Sequence, residues 1–465
     1  MVHRLSSRSS KTSIFLVTLL SLTLALSGLA HGATPITLTI VVRNTYEDMP
    51  EPVLQRFMEL HPNVRFELIR GTSTTIDEKL TTALAAGLPL DIAISMSMRG
   101  WVSYAAQGLF RDLGPYIKAD RQELERKGVP AFILDGLKVN GKTTYIPYSI
   151  WSSLITIYNA TYFDEAGVVR PRPVYDDNNW TWSEMIQAAK KLVRTTPEGV
   201  VTRPGIRFAL DDLVLHGVSL AWGGDLFPPE TYVTGMVKGV TFDTPINRRA
   251  LSSLVELSME HRVTNYTLPR SGGNSVPAGQ AAMMIDAGGK IDPATYQHNF
   301  VWGMAPYPKP DEVASRVPMP SWIRAAAIMD RSANPDMAWK FIKFLLTDAY
   351  ELGEFESEGR IHTWNLYRGV NPAIWRNYIT VISRSLELAH SPAELTSFVI
   401  QGVGQYTRIA ASNSLVGGGE TIHGTRTPLG MYMQQACEGK MPLEEALSRA
   451  EKDALIVLED IYRNL

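Results

Sequence analysis

Apolar and polar positions follow two periods along this chain, and near the amino end the periods take turns. Ile36, Leu38 and Ile40 are separated by Thr37 and Thr39, the period of two that turns one face of a strand toward a core. Pro50 and Pro52 then open a segment in which Val53, Leu54, Phe57, Met58 and Leu60 share one side at helical spacing. That helix should stop before Pro62, because the residue ahead of a proline is pushed out of the helical region. Val64, Phe66 and Leu68 alternate as a second strand. Ile76, Leu80 and Leu84 return to helical spacing, closed by Gly87 and Pro89, and Asp91 to Ser95 reads as a third, short strand. Strand, helix, strand, helix, strand predicts a parallel α/β layout, and such sheets bind ligands at the carboxyl ends of their strands.

The later part is less regular. Thr181-Trp182-Ser183-Glu184 is a capping box, opening a helix through Ile186, Ala189 and Val193. Asn334-Pro335-Asp336 reads as the cap of a helix carrying Met337, Phe341 and Leu345 on one stripe. A last amphipathic helix spans roughly Leu443 to Ile461. Loops rich in glycine and proline lie at Arg270 to Gly279 and at Tyr307 to Pro320. No internal repeat, coiled coil or low-complexity tract is present.

Residues 1–33 read as a secretory signal. Arg4, Arg8 and Lys11 precede an uncharged apolar run from Ile14 to Ala30, and the small residues Gly28, Ala30, Gly32 and Ala33 suit cleavage nearby. An uncleaved anchor is the alternative, since the run is just near spanning length. No other segment is long and apolar enough to cross a bilayer, so no stable membrane insertion is expected after processing. At 465 residues the chain is too long for one core and suits two or three lobes. The 45 Lys+Arg against 47 Asp+Glu argue against a nucleic-acid partner, which needs a basic surface. Cys437 is the single cysteine, which excludes an internal disulfide, a cysteine zinc cluster and a lipoprotein anchor near the signal. The expected location is the periplasm.

Catalytic patterns fail on context. Gly136 to Thr143 matches the phosphate-loop spacing G-x-x-x-x-G-K-T, with Ala131 to Leu134 as a possible strand before it. Thr143 to Ile146 are strand-prone and Pro147 blocks the helix that the phosphates would require, so the segment reads as a hairpin turn. No H-E-x-x-H or G-x-S-x-G pattern occurs, and no cofactor is implied. Asp211-Asp212 and Asp176-Asp177 read as solvated turns, because adjacent side chains point apart. A secreted carbohydrate-active hydrolase, built from carboxylates distant in sequence, is the rival class.

Seven short phrases, in order, carry a resemblance. They are His61-Pro62-Asn63-Val64, Ala85 to Asp91, Tyr145-Ile146-Pro147-Tyr148, Ile157-Tyr158-Asn159, Ala221-Trp222-Gly223-Gly224-Asp225, Gly279 to Met283 and Ala338-Trp339-Lys340-Phe341. Their succession resembles the family 1 extracellular solute-binding proteins of ABC importers, which include maltose-binding protein. The resemblance implies a two-lobe periplasmic-binding-protein fold of the α/β class, each lobe a mostly parallel sheet flanked by helices, with a ligand cleft between lobes. It implies a signal over 1–33, one lobe from 34–148 plus 304–346, and another from 149–303 plus 347–465, with crossings near Tyr148 to Trp151, Trp302 to Pro308 and Leu345 to Tyr350. Leu90 departs from the family's usual aspartate after proline, and Pro320 to Arg324 replaces a glycine-rich stretch.

A sugar offers hydroxyls at its rim and C–H patches on its faces, so its site needs aromatic surfaces and in-plane polar groups. The segments resembling the family's cleft supply Asn44, Tyr46, Glu47, Thr72 to Thr74, Arg99 and Trp101 from the first lobe. The hinge and second lobe supply Tyr148, Trp151, Ser152, Trp222, Gly223, Gly224, Asp225, Asp286 and Lys290, and Trp322, Arg324 and Trp364 complete the wall. Tyr158 and Trp339 are expected in the core. Arg324 and Arg99 keep open an anionic ligand, an acidic sugar or glycerol phosphate derivative. The implied role is that of a non-enzymatic, monomeric carrier that closes on a carbohydrate and hands it to a membrane permease.

Overall fold

The computed structural model describes residues 34–43, 49–72, 75–95, 98–135, 137–150, 153–266, 276, 279–287, 300–321, 323–349, 354–357, 360–363, 370–371, 374–409 and 427–462. In chain order its strands are β1 (Ile36–Arg43), β2 (Val64–Gly71), β3 (Ile92–Ile94), β4 (Leu137–Val139), β5 (Lys142–Ile150), β6 (Leu154–Asn159), β7 (Arg194–Thr195), β8 (Val201–Arg203), β9 (Arg207–Phe208), β10 (Met283–Ala287), β11 (Trp302–Pro306), β12 (Met319–Ser321), β13 (Ile323–Ile328), β14 (Glu354–Ser357), β15 (Arg360–Thr363) and β16 (Thr407–Ile409). Six form one sheet in the order β2-β1-β3-β13-β5-β4, and four form another in the order β11-β6-β10-β9.

Both sheets are mixed. β1 lies parallel to β2 and to β3, as the alternating pattern predicts, but β13 joins antiparallel between β3 and β5. In the second sheet β6 is antiparallel to β10 and β11, and β9 is parallel to β10. Apart from the β4–β5 hairpin, every antiparallel pair in these two sheets involves β6 or β13, the strands that arrive from the other sheet. Such a strand needs no helical crossover to reverse direction.

Strand direction decides which edges meet. β1, β2, β3 and β5 run the same way and end at Arg43, Gly71, Ile94 and Ile150, beside the start of β13 at Ile323. β9, β10 and β11 share a direction and end at Phe208, Ala287 and Pro306, beside the start of β6 at Leu154. The chain passes between sheets from Ile150 to Leu154 and again from Pro306 to Ile323. The first passage is too short to span more than about 14 Å. The carboxyl edges of the two sheets therefore face each other.

The core is a pair of apolar slabs, one on each side of the sheets. Val41 faces one slab while Leu38, Ile40 and Val42 face the other, and in β6 Leu154 and Tyr158 part in the same way from Ile155 and Ile157. Each such fully buried side chain contributes roughly 1.5–3 kcal/mol. Tyr158 and Trp339 are both buried, Trp339 donating its indole N–H to Asp120 at 2.7 Å. Thr181 and Glu184 close both arms of the capping box on helix Trp182–Leu192. Ahead of helix Pro335–Thr347, Asn334 makes no side-chain cap; its amide turns to the Thr37 carbonyl at 3.4 Å. The phosphate-loop lookalike is a β4–β5 hairpin with Asn140 at φ 50° and Gly141 at φ 78°, the left-handed pair that suits Asn-Gly. Ala131–Leu134 is a helical turn rather than a strand. Cys437 is buried, and burial pushes its thiol far above the usual range.

Candidate functional site

On the first edge, Thr72 follows β2 and lies exposed, its hydroxyl 3.0 Å from that of Thr75 in the turn leading to helix Ile76–Ala85. Ser95 follows β3 at φ 51°, with its hydroxyl 3.4 Å from the phenol oxygen of Tyr148. Tyr148 is fully buried in β5, and Arg324, buried in β13, sits opposite Ser149. Arg99 and Trp101 fall on helix Met98–Ala106. The Trp101 ring stacks on Tyr145 at 5.0 Å and 15° and packs beside Phe110, inside the core. Asn44, Tyr46, Glu47, Ser73, Thr74, Trp151, Ser152, Lys290, Trp322 and Trp364 lie outside the described residues.

On the opposite edge Asp286 is buried near the end of β10, across from Ile155. Asp211 and Asp212 follow β9 after Ala209 and Leu210. Asp211 accepts the Val214 N–H at 3.0 Å and caps helix Asp212–Ala221. Asp212 is buried, contrary to the solvated turn expected from the doublet. Its neighbours Leu210, Leu213 and Val214 enter the core and carry it inward. The Thr427 hydroxyl donates to its Oδ1, while Oδ2 has no partner among the described residues. Thr427 in turn caps helix Pro428–Cys437, accepting the Gly430 N–H at 3.2 Å. Gly430 permits this approach, since a Cβ there would meet the Leu210 carbonyl oxygen at 2.4 Å. Two helix amino ends thus converge on one buried carboxyl group. Burial, with the charge of Asp211 adding to it, pushes Asp212 up to about 7 although the Thr427 bond pulls the other way.

That shift fixes the sign of a stability effect. A carboxyl group raised in the fold from 3.8 contributes most at low pH and loses its contribution as pH climbs toward 7. Asp212→Asn should therefore be more stable than the parent at pH 8 by on the order of 4 kcal/mol, with the gap closing by pH 4. Urea unfolding at the two pH values checks this; an equal difference at both would refute it.

The model of the family described as bacterial extracellular solute-binding protein matches residues 43–351. The chain belongs to this family. No curated protein matches it. Among solved structures, this solute-binding protein is similar to an ABC substrate-binding protein of Listeria monocytogenes in complex with cycloalternan, at 20% identity, TM-score 0.64, covering 90% of this chain and 98% of that one. It is similar to a sugar transporter of Rhizobium etli in an open conformation, at 17% identity, TM-score 0.64, covering 90% and 99%. It is also similar to a cyclic α-maltosyl-1,6-maltose binding protein of Arthrobacter globiformis, at 17% identity, TM-score 0.60, covering 92% and 100%. These likenesses show the two-lobe fold.

In this solute-binding protein the Trp222 to Asp225 phrase closes helix Asp212–Ala221, a helix length of about 15 Å from Asp212. Trp222 is buried edge-on against Trp182 at 4.7 Å and donates its indole N–H to Glu312 at 2.8 Å. Gly223 takes φ 84°, and a Cβ on Gly224 would lie 2.1 Å from the Asn247 side-chain oxygen. Asp225 accepts from Tyr232 at 2.7 and 2.9 Å, the Phe227 N–H at 3.1 Å, and pairs with His216 at 3.0 Å. Desolvation works to raise this carboxyl group, but the bonds from His216 and Tyr232 hold it below its usual value. Its oxygens are occupied by the turn. The structure thus gathers Thr72, Tyr148, Arg324 and Asp286 along the facing edges and sets Trp101, Trp222, Gly223 and Asp225 in packing or turn roles. Asp212 and Thr427 were missed by sequence reasoning. The available signal was a short strand closely followed by an aspartate-capped helix, and a Thr-Pro helix start late in the chain.

Proposed function

We propose that the protein is the extracytoplasmic carrier of an ABC importer that binds a neutral carbohydrate between its two sheets and breaks no bond in it. The observation that supports this reading is the pair of facing carboxyl edges, joined by two crossing segments, with Asp286 near the end of one edge and Tyr148 and Arg324 near the other. Carboxylate, hydroxyl and guanidinium groups suit a ligand rich in hydroxyls. A solute touching both lobes favours the closed form by as much as its affinity differs between the two states. The closed surface then meets a membrane permease. The working form is a monomer in the periplasm, with residues 1–33 removed as the signal and one lobe built on each sheet, the expected boundary at 304 moved past Pro306 so that all of β11 stays with the second sheet. The cleft-lining set extends to Asn44, Tyr46, Glu47, Trp151, Trp322 and Trp364.

A thermal-shift screen against neutral mono- and oligosaccharides tests the reading, since a ligand at 100 times its Kd adds about 2.7 kcal/mol. Arg324→Ala should weaken the best hit at least tenfold without change of sugar preference. Cleavage of any hit, or an unchanged radius in solution scattering at saturation, would count against the carrier. An acidic saccharide is the second reading, favoured by Arg324 in the wall; binding that collapses in high salt would promote it.

A further inference from the structure

Asp225, expected among the sugar contacts, is engaged by Tyr232 instead, and Tyr232 leads to the other sheet. It belongs to the short helix Glu230–Thr234, which lies in the chain between β9 and β10 and so travels with the second sheet. Its phenol donates to both Asp225 oxygens at 2.7 and 2.9 Å, and the fully buried His216 backs the same carboxylate at 3.0 Å. The helix is anchored at its middle. At its carboxyl end the Thr234 carbonyl accepts the backbone N–H of Asn140 at 3.1 Å, from the hairpin between β4 and β5 of the first sheet. Gly235 follows at φ 70°, and a Cβ there would run into the Lys138 carbonyl oxygen, so glycine is what lets the two backbones meet. Val139 of β4 and Met236 and Val237 beyond the helix are buried in the same apolar slab.

This contact lies behind the cleft. β5 runs from Lys142, next to the hairpin, to Ile150 at the carboxyl edge, about 26 Å of strand. The first crossing between sheets leaves from Ile150. When the carboxyl edges approach each other about the crossing segments, points on the far side must separate. We propose that the β4–β5 hairpin and helix Glu230–Thr234 form a brake that favours the open lobes, and that Asp225 is the positioning residue that holds it through Tyr232. Closure on a sugar has to undo the Asn140–Thr234 bond, so the brake lowers affinity by lowering the closed fraction of the free protein. This rests on the carrier reading and adds regulation of the same cleft.

Gly235→Ala breaks the contact directly, and Tyr232→Phe frees the helix without altering the hairpin. In the free mature chain, hydrogen exchange over residues 137–142 should be several-fold faster in both variants, and a saturating sugar should speed it in the parent. Maltotriose and mannotriose, with other neutral trisaccharides as a panel, serve as probes. Both variants should bind about three- to tenfold tighter than the parent, the worth of one backbone hydrogen bond. The double variant should gain no more than Gly235→Ala alone, since both changes act on one contact. Gly199→Ala, at a glycine with φ 83° and open space around it, controls for backbone strain and should bind as the parent does. Asp225→Asn should also tighten binding, whereas a residue that touches the sugar would weaken it on the same change. Unchanged or weaker binding in Tyr232→Phe or Asp225→Asn, or exchange over 137–142 indifferent to these changes, overturns the brake and leaves the carrier standing. Should Gly235→Ala misfold, Tyr232→Phe and Asp225→Asn decide alone. No binding by any saccharide removes both.

Discussion

Replacing Arg316 with methionine is expected to cost about 4 kcal/mol, one of the largest losses available to a single side chain. Arg316 sits in the segment that crosses from Pro306 to Ile323, and its guanidinium serves four backbone carbonyls at once. It donates to Asp176 at 3.1 Å and Trp180 at 3.2 Å, and to Asn179 and Tyr307. Its own backbone N–H donates to the Asp177 carboxylate at 2.8 Å. Desolvation lowers its affinity for the proton, with the nearby tyrosines and aspartates opposing. Methionine keeps much of the stem and leaves those carbonyls short of donors, at roughly 1–3 kcal/mol for each that stays dry. Lysine should recover little, because a point charge cannot match a planar fork. Equilibrium unfolding in urea reads the effect, and a loss below about 1 kcal/mol would show that water replaces the fork freely. A second consequence follows at the seam, since the 171–180 loop and the crossing segment are tied together here. The methionine variant should bind sugar more weakly even at temperatures where it is fully folded.

Much of the fold was legible because it is local. The period-two runs became β1 and β2, the helix from Glu51 ended at Leu60 ahead of Pro62, and Asn140-Gly141 made the hairpin that the lookalike motif disguised. What sequence could not show is which strand comes back from elsewhere. β13, far beyond β5 in the chain, lies between β3 and β5 and turns a parallel layout into a mixed one. β11 pairs along its whole length with β6, so the strand belongs to the second sheet although a boundary at 304 would divide it. The site suffered in the same way. Trp222 and Asp225 looked like sugar contacts because aromatic and acidic residues are the right chemistry, yet Glu312, Tyr232 and His216, distant or unremarkable in sequence, take up their polar atoms. Asp212 looked solvated because its doublet partner is polar, while Leu210, Leu213 and Val214 decided its burial.

Valine at Gly303 is expected to cost about 4 kcal/mol, although valine is the better strand former. Gly303 lies in β11 directly opposite Tyr158 of β6, and the Tyr158 ring covers it. A Cβ placed at 303 would meet three ring carbons at 2.0, 2.2 and 2.4 Å, far inside any contact that a small shift relieves. The ring has nowhere to go. It is fully buried, packs on Phe163 at 4.8 Å, and its hydroxyl donates to the Pro171 carbonyl at 3.2 Å and lies 2.9 Å from the His390 ring nitrogen. Moving it forfeits a buried aromatic and strands polar groups on two segments. The double variant settles whether the clash is the cause. With Tyr158→Ala already present, a valine at 303 fills vacated space and should cost under about 1 kcal/mol, so the two changes should be strongly non-additive. Additive losses in urea unfolding would place the cost of Gly303→Val in the backbone instead, and the ring-over-glycine contact would lose its claim to fix the register of β11 against β6.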